Sequence, residues 1–130
     1  MTLQAEVASM IQLVDYFMES TNRNAWLVND DAKIYVRRSI RVHPVTRVFM
    51  TCFDVANVIV AKPGRGYFGL LMSELKTHLT KYQCDAILME SVNNPSLMVW
   101  ALRNGFEQYQ DVSMNNCLHY LRLTSKKEKK

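Results

Sequence analysis

The stretch DVANVIVAKPGRGYFGLLMSELKTHL, residues 54–79, decides the fold. It closes an apolar, largely β-branched run that begins at Thr46 and ends at Val60. A run of that kind suits a central strand covered on both faces. Ala61-Lys62-Pro63-Gly64-Arg65-Gly66 then breaks the strand. Beyond the break, Phe68, Leu71, Met72, Leu75 and Leu79 fall at helical spacing. A strand therefore feeds a glycine-rich turn that opens a helix.

Towards the N-terminus, Lys33 to His43 alternates. Ile34, Val36, Ile40 and Val42 share one side, against Lys33, Tyr35, Arg37, Ser39, Arg41 and His43. This predicts a half-buried strand that Pro44 ends. Ala25 to Val28 predicts a short strand, with Asn29, Asp30 and Asp31 as the turn after it. Residues 3–19 carry Leu3, Val7, Met10, Ile11, Val14, Phe17 and Met18 at helical spacing, an amphipathic helix. Towards the C-terminus, Cys84 to Met89 reads as a buried strand. Asn93-Asn94-Pro95 announces a helix with Asn at its cap and Pro at its first position. Gly105 suits that helix's left-handed exit, and Phe106–Tyr109 and Cys117–Leu123 read as two last strands. The order is α/β with a mixed sheet, and residues 54–89 form a right-handed parallel crossover.

The 130 residues make one domain, expected over residues 1–125, with a basic disordered tail at 126–130. No apolar run approaches the ~20 residues of a membrane span. The N-terminus lacks a basic region before its apolar residues, so it does not read as a secretion signal, and the expected location is cytoplasmic. Cys52, Cys84 and Cys117 are odd in number, lack metal-ligand spacing and sit in apolar stretches, which predicts reduced core thiols. No cluster of His, Cys and carboxylates suggests a metal. Trp26, Trp100 and most of the eight methionines sit at core spacing. The net charge is +4. Arg37, Arg38, Arg41 and Arg47 form a basic group that can attract a nucleic acid, an acidic protein or the phosphates of a nucleotide.

The turn has a physical use. Gly64 and Gly66 reach backbone dihedrals closed to other residues and let a ligand approach. The first helical amides are unpaired and carry the positive end of the helix dipole. Together they suit a pyrophosphate. A P-loop is excluded, because Tyr67 and Phe68, not Lys and Ser/Thr, follow Gly66. The spacing Gly64-x-Gly66-x-x-Gly69, with Asp85 downstream, fits a Rossmann turn, but that unit opens on its first strand and several elements come first here.

Three separated motifs, covering about two-fifths of the chain, carry a resemblance. They are Asp54-Val-Ala-Asn-Val-Ile-Val60, then Gly64-x-Gly66-x-Phe68, then Asn94-Pro-x-Leu97 with Asn104-Gly-Phe106. In this order they resemble the core of the GNAT (GCN-five-related N-acetyltransferase) superfamily, and in particular a branch of small, often phage-encoded GNAT-like proteins. The resemblance implies a central, mostly antiparallel mixed sheet flanked by helices, with splayed central strands and an acyl-CoA site at the glycine turn. Backbone amides from Gly64, Arg65, Gly66, Tyr67, Phe68 and Gly69 would hold the CoA pyrophosphate, and the backbone of Val58 and Val60 would pair with the pantetheine arm. Asn94 matches a cofactor-contacting Asn and equally reads as a plain helix cap.

The implied activity is acyl transfer from acetyl-CoA, or another acyl-CoA, to an amine by direct attack in a ternary complex. Asp54 is the candidate base, because an amine must lose a proton before it attacks. A structural Asp at a strand distortion explains the same residue. Glu90, ending the next strand, is the second candidate base, and Tyr109, His119 and Tyr120 are candidate acids. The acceptor is open among a small molecule, a protein and a nucleobase, and a homodimer is compatible with the chain. The motif departs from the family at Pro63, Phe68 and Ala101, where many relatives carry Arg/Gln, Gly/Ala and the thiolate-protonating Tyr. Those departures support the alternative: a GNAT-fold binding or inhibitor module acting on a protein or nucleic acid, with little or no turnover.

Overall fold

A computed structural model describes residues 2–43, 45–89, 95–111 and 116–122, and the side chains among them except those of residues 95–98, 109–111 and 116–122. Glu90 and Asn94, the Pro44 strand end and the expected tail lie outside the described residues.

Helix α1 spans Leu3–Glu19. The Thr2 hydroxyl caps it by accepting the Ala5 amide at 3.1 Å. Its stripe of Val7, Met10, Ile11, Val14 and Phe17 is buried, each side chain worth roughly 1.5–3 kcal/mol on leaving water. Strand β1 spans Asn24–Val28 and β2 spans Ala32–Val42. Between them, the Asn29 side-chain oxygen accepts the amides of Asp31 and Ala32, the expected Asx turn. Strand β3 spans Phe49–Val60, helix α2 Tyr67–His78, and a 3₁₀ turn Leu79–Tyr82. Strand β4 covers Ala86–Met89, helix α3 Pro95–Arg103, β5 Glu107–Asp111 and β6 Asn116–Arg122. Gly105 leaves α3 at φ 90°, the left-handed exit read from sequence.

The six strands run in the order β1-β2-β3-β4-β6-β5. Only β3 and β4 are parallel, as the α2 crossover requires. One sheet face, with Ile34, Val36, Phe53, Val55, Ile87 and Met89, packs into the main core with α1 and α2. Phe17 meets Phe53 edge-on at 6.2 Å. The other face holds a smaller cluster of Met50, Cys52, Ala86 and Leu88. Cys52 and Cys84 are free, buried thiols. Burial pushes Cys52 up to about 12 and Cys84 up to about 11, so neither is a thiolate at neutral pH. Among the described residues no helix is long and apolar enough to cross a membrane.

Three expectations need correction. Trp26, read at core spacing, is 48% exposed on β1, where it packs against Tyr35 of β2. Strand β3 is not covered along its whole length: burial holds for Met50 and from Cys52 to Val55, whereas Ile59 is half-exposed. Ile40 and Val42 do not continue the buried face of Ile34 and Val36; both are exposed. The reason is the length of α1. Arg38 donates to the Phe17 and Ser20 carbonyls at the helix's C-terminal end, so past Arg38 no α1 residue remains to cover the sheet.

Candidate functional site

The backbone of β3 sets the site. Tyr35 of β2 pairs with Asn57, and Val36 with Val55, so Ala56 is one residue too many, a β-bulge. Pairing between β3 and β4 ends, among the described residues, at Val55 opposite Met89. Strand β3 continues for five more residues, paired among the described residues with β2 alone. The Ala61 amide donates to Asp31 O at 2.9 Å on that β2 side. Strand alternation then aims the N–H and C=O of Val58 and Val60 the other way, towards the β4 side of the strand. These are the two residues singled out from sequence, and the bulge is what turns them outward.

The turn follows. Gly64 and Gly66 adopt φ 85° and 80°. A Cβ on either would meet no atom of the described residues within 4 Å beyond its chain neighbours, so the space in front of both is open among them. Gly66 caps α2 without a side-chain hydrogen bond. The first helical bond runs from Leu70 N–H to Gly66 O, which leaves the Tyr67, Phe68 and Gly69 amides outside the helical ladder. An uncapped helix start behind two left-handed glycines, with free volume in front, fits a pyrophosphate.

The side chains of the turn face elsewhere. Arg65 donates to both Glu6 oxygens of α1 at 3.1 and 3.0 Å, which ties the turn to the first helix. Tyr67 is buried, its hydroxyl without a hydrogen-bond partner among the described residues, and burial pushes its phenol up to about 12. Phe68 packs edge-on against Trp100 at 5.1 Å, so it bridges α2 and α3 where the motif has a small residue. Ala101 is fully buried in the main core. The Glu6 partner could not be read from sequence, because the contact joins residues 59 positions apart.

Asp54 stands two residues before the bulge, opposite Arg37 on β2 and Leu88 on β4. Its side chain is 1% exposed. The Ser39 hydroxyl donates to Oδ1 at 2.8 Å and Arg41 Nη2 to Oδ2 at 3.1 Å. Arg41 Nε also donates to Ser39 Oγ, and Arg37 Nε lies 3.8 Å from Oδ2. Burial pushes the Asp54 carboxyl up from the ordinary aspartate value, against the opposing pull of the Ser39 hydroxyl and the two guanidiniums. The sequence placed Arg37, Ser39 and Arg41 on one side of β2; only the register shows that this side meets Asp54. The basic group read from sequence is dispersed. Arg37 and Arg41 face Asp54, Arg38 faces α1, and Arg47 sits in the hairpin turn at φ 64°. Among the described residues no three His, Cys, Asp or Glu side chains gather in a way that could hold a metal ion.

The same arrangement of strands and helices occurs in solved acetyltransferases. The ribosomal-protein-S18-alanine N-acetyltransferase from Escherichia coli is 13% identical, covers 100% of this chain and 94% of its own, and superposes with a TM-score of 0.55. The chain has the GNAT fold. The AtaT toxin, solved with the C-terminus of the antitoxin AtaR and acetyl-CoA, is 9% identical over 70% of this chain and 59% of its own, with a TM-score of 0.52. A further bacterial toxin is 14% identical over 72% and 60%, with a TM-score of 0.55. This chain thus spans about three-fifths of the length of the two toxins. No family model matches the sequence, and no curated protein matches it. At these identities the likeness establishes the GNAT fold and nothing finer.

Proposed function

We propose that the chain is an acyl-CoA-dependent N-acyltransferase. One observation carries the reading: among the described residues the β3–β4 pairing ends on the same side of β3 to which Val58 and Val60 turn, and β3 then runs directly into an uncapped helix start behind Gly64 and Gly66. The solved GNAT-fold structure that holds acetyl-CoA supports the choice of ligand. Acyl-CoA, when bound, supplies a thioester whose carbonyl carbon an amine attacks while the CoA thiol leaves. The backbone of Val58 and Val60 would pair with the pantetheine arm. The amides of Tyr67, Phe68 and Gly69, with the glycines before them, would hold the pyrophosphate. The Arg65–Glu6 pair would hold the turn in place without touching phosphate. The acceptor is an amine that must shed a proton. In this reading Asp54 anchors the Arg37–Ser39–Arg41 row of β2, since both of its oxygens already accept hydrogen bonds. The sequence motifs around Asp54, Gly66 and Asn94 support placement in the small GNAT-like branch.

The test is calorimetry with acetyl-CoA on the wild type and on Gly66→Ala. No atom of the described residues obstructs a methyl group at Gly66, so the fold loses only the cost of a left-handed Ala, about 1–2 kcal/mol. The methyl would stand where the pyrophosphate lies. The wild type should bind, and folded Gly66→Ala should bind at least ~100-fold more weakly. A folded wild type that binds no acyl-CoA overturns the reading. Thiol release with a panel of amines then tests turnover.

A further inference from the structure

The face that α1 fails to cover lies far from the glycine turn, at the other end of β3. Ile40 is 72% exposed, Phe49 73% and Val42 42%. Val42 pairs with Phe49, and Ile40 with Thr51. The three apolar side chains therefore share one face of the β2–β3 hairpin. Val45 and Val48 in the turn are exposed too.

Among the described residues, the strand edge beside this patch is open as well. Strand β1 pairs with β2 no further than Asn24 opposite Arg37, and the last bond on that side is Arg38 N–H to Arg23 O at 2.8 Å. On the opposite side His43 N–H donates to Val48 O at 2.9 Å. With regular register between these points, the N–H and C=O of Ile40 and Val42 face away from β3, into the space where β1 has stopped. Over the adjoining face of β2 and β3 lies a cleft of about 660 Å³, between Thr21–Arg23 on one side and Tyr82–Gln83 on the other, with Ile40 and Thr51 in its lining. Its lining among the described residues includes Arg23 and Arg38 and no carboxylate.

We propose that this edge accepts an extended, acidic segment of a partner protein as an added strand. Outward backbone groups at Ile40 and Val42 supply the ladder, and the exposed Ile40, Val42 and Phe49 side chains take alternate apolar residues of the incoming segment. Charge chooses the partner. The charged residues among the described lining, Arg23 and Arg38, are both basic, and an acidic segment complements them. A second copy of this chain would bring the same arginines and the same net +4 against themselves. The surface is separate from the acyl-CoA reading and stands without it.

The probe is a synthetic octapeptide alternating valine with aspartate, beside a twin carrying lysine for aspartate. Each is titrated into the full chain and followed by amide hydrogen exchange. The acidic peptide should slow exchange at Ile40 and Val42 at least ~10-fold, less so at high salt, and the lysine twin should leave both unchanged. Phe49→Glu adds a carboxylate to an exposed position, so it should keep the melting temperature and lose the slowing. Val42→Pro removes the outward donor and should lose the slowing at Ile40. The proposal is overturned if neither peptide slows these amides, if both do so equally, or if protection rises with protein concentration alone, which would make the occupant a second copy.

Discussion

Asp54 shows how far a single residue can be read. Its place on the central strand was legible, and so was its carboxylate. Its surroundings were not, because Ser39, Arg37 and Arg41 reach it only through a register that the bulge at Ala56 interrupts. The consequence is an expected outcome for Asp54→Asn. The amide keeps the shape but puts an NH₂ in place of one charged acceptor, so either the Ser39 hydroxyl or Arg41 loses its carboxylate. Both arginines keep some solvent contact, 35% and 26% exposed at their side chains, which lets water recover part of the loss. We expect a destabilisation of about 2 kcal/mol, seen as a melting temperature lower by about 7 °C at this chain length. A variant that melts with the wild type but acetylates an accepted amine at least ~10²-fold more slowly would return Asp54 to the role of base.

At the scale of elements, α1, α2 and the 3₁₀ turn are fastened by one polar clasp. Asp15 of α1 accepts from His78 Nε2 at 2.7 and 2.8 Å and from the Tyr82 hydroxyl at 2.5 Å, with Lys81 Nζ at 3.5 Å. Burial raises the Asp15 carboxyl, but the Tyr82 and His78 hydrogen bonds and the charges of His78 and Lys81 outweigh it, and the net shift is downward from 3.8. The sign follows from linkage. A carboxyl lowered in the folded state adds stability above its unfolded value and gives it up as pH falls through the folded one. Melting temperature should therefore drop as pH goes below about 4, and Asp15→Asn should melt lower at neutral pH but show a shallower acid limb. Parallel acid limbs in the two proteins would remove Asp15 from the account. The helices themselves were legible from their apolar periodicity, because α1 and α2 each bury one stripe. The clasp was not, since His78 and Asp15 lie 63 positions apart and periodicity reports faces, not partners. The same limit explains Ile40 and Val42: alternation gave their face correctly, and only the end of α1 leaves that face bare.

For the whole molecule, the legible part is the path of the chain and the hidden part is how the sheet closes. The strand, glycine turn, helix and strand from residue 54 to 89 declared a parallel crossover, and the structure has it. That β6 slots between β4 and β5 could not be read from local pattern, because antiparallel neighbours are chosen by tertiary packing. The crossover also fixes how a ligand at the turn should act on the whole. Strand β3 holds pairs on both sides through Val55 and carries Phe53 and Val55 into the main core, while α2 buries Tyr67, Leu71, Met72 and Leu75 in the same core. The proposed ligand would touch β3 and α2 at once, and these elements share one core with α1. Their loss should therefore be loss of the native state, not a local opening. Ligand binding to the native state alone adds about 2.7 kcal/mol at a free concentration of 100 times Kd. With about 2 cal/mol/K of unfolding entropy per residue, acetyl-CoA at that level should raise the melting temperature by roughly 10 °C, in one transition seen alike by far-UV circular dichroism and by tryptophan fluorescence. Gly66→Ala should lose that rise, and Phe49→Glu, at the far end of β3, should keep it. A rise confined to one probe would mean that the turn and α2 unfold apart from the sheet, and the single shared core would have to be abandoned.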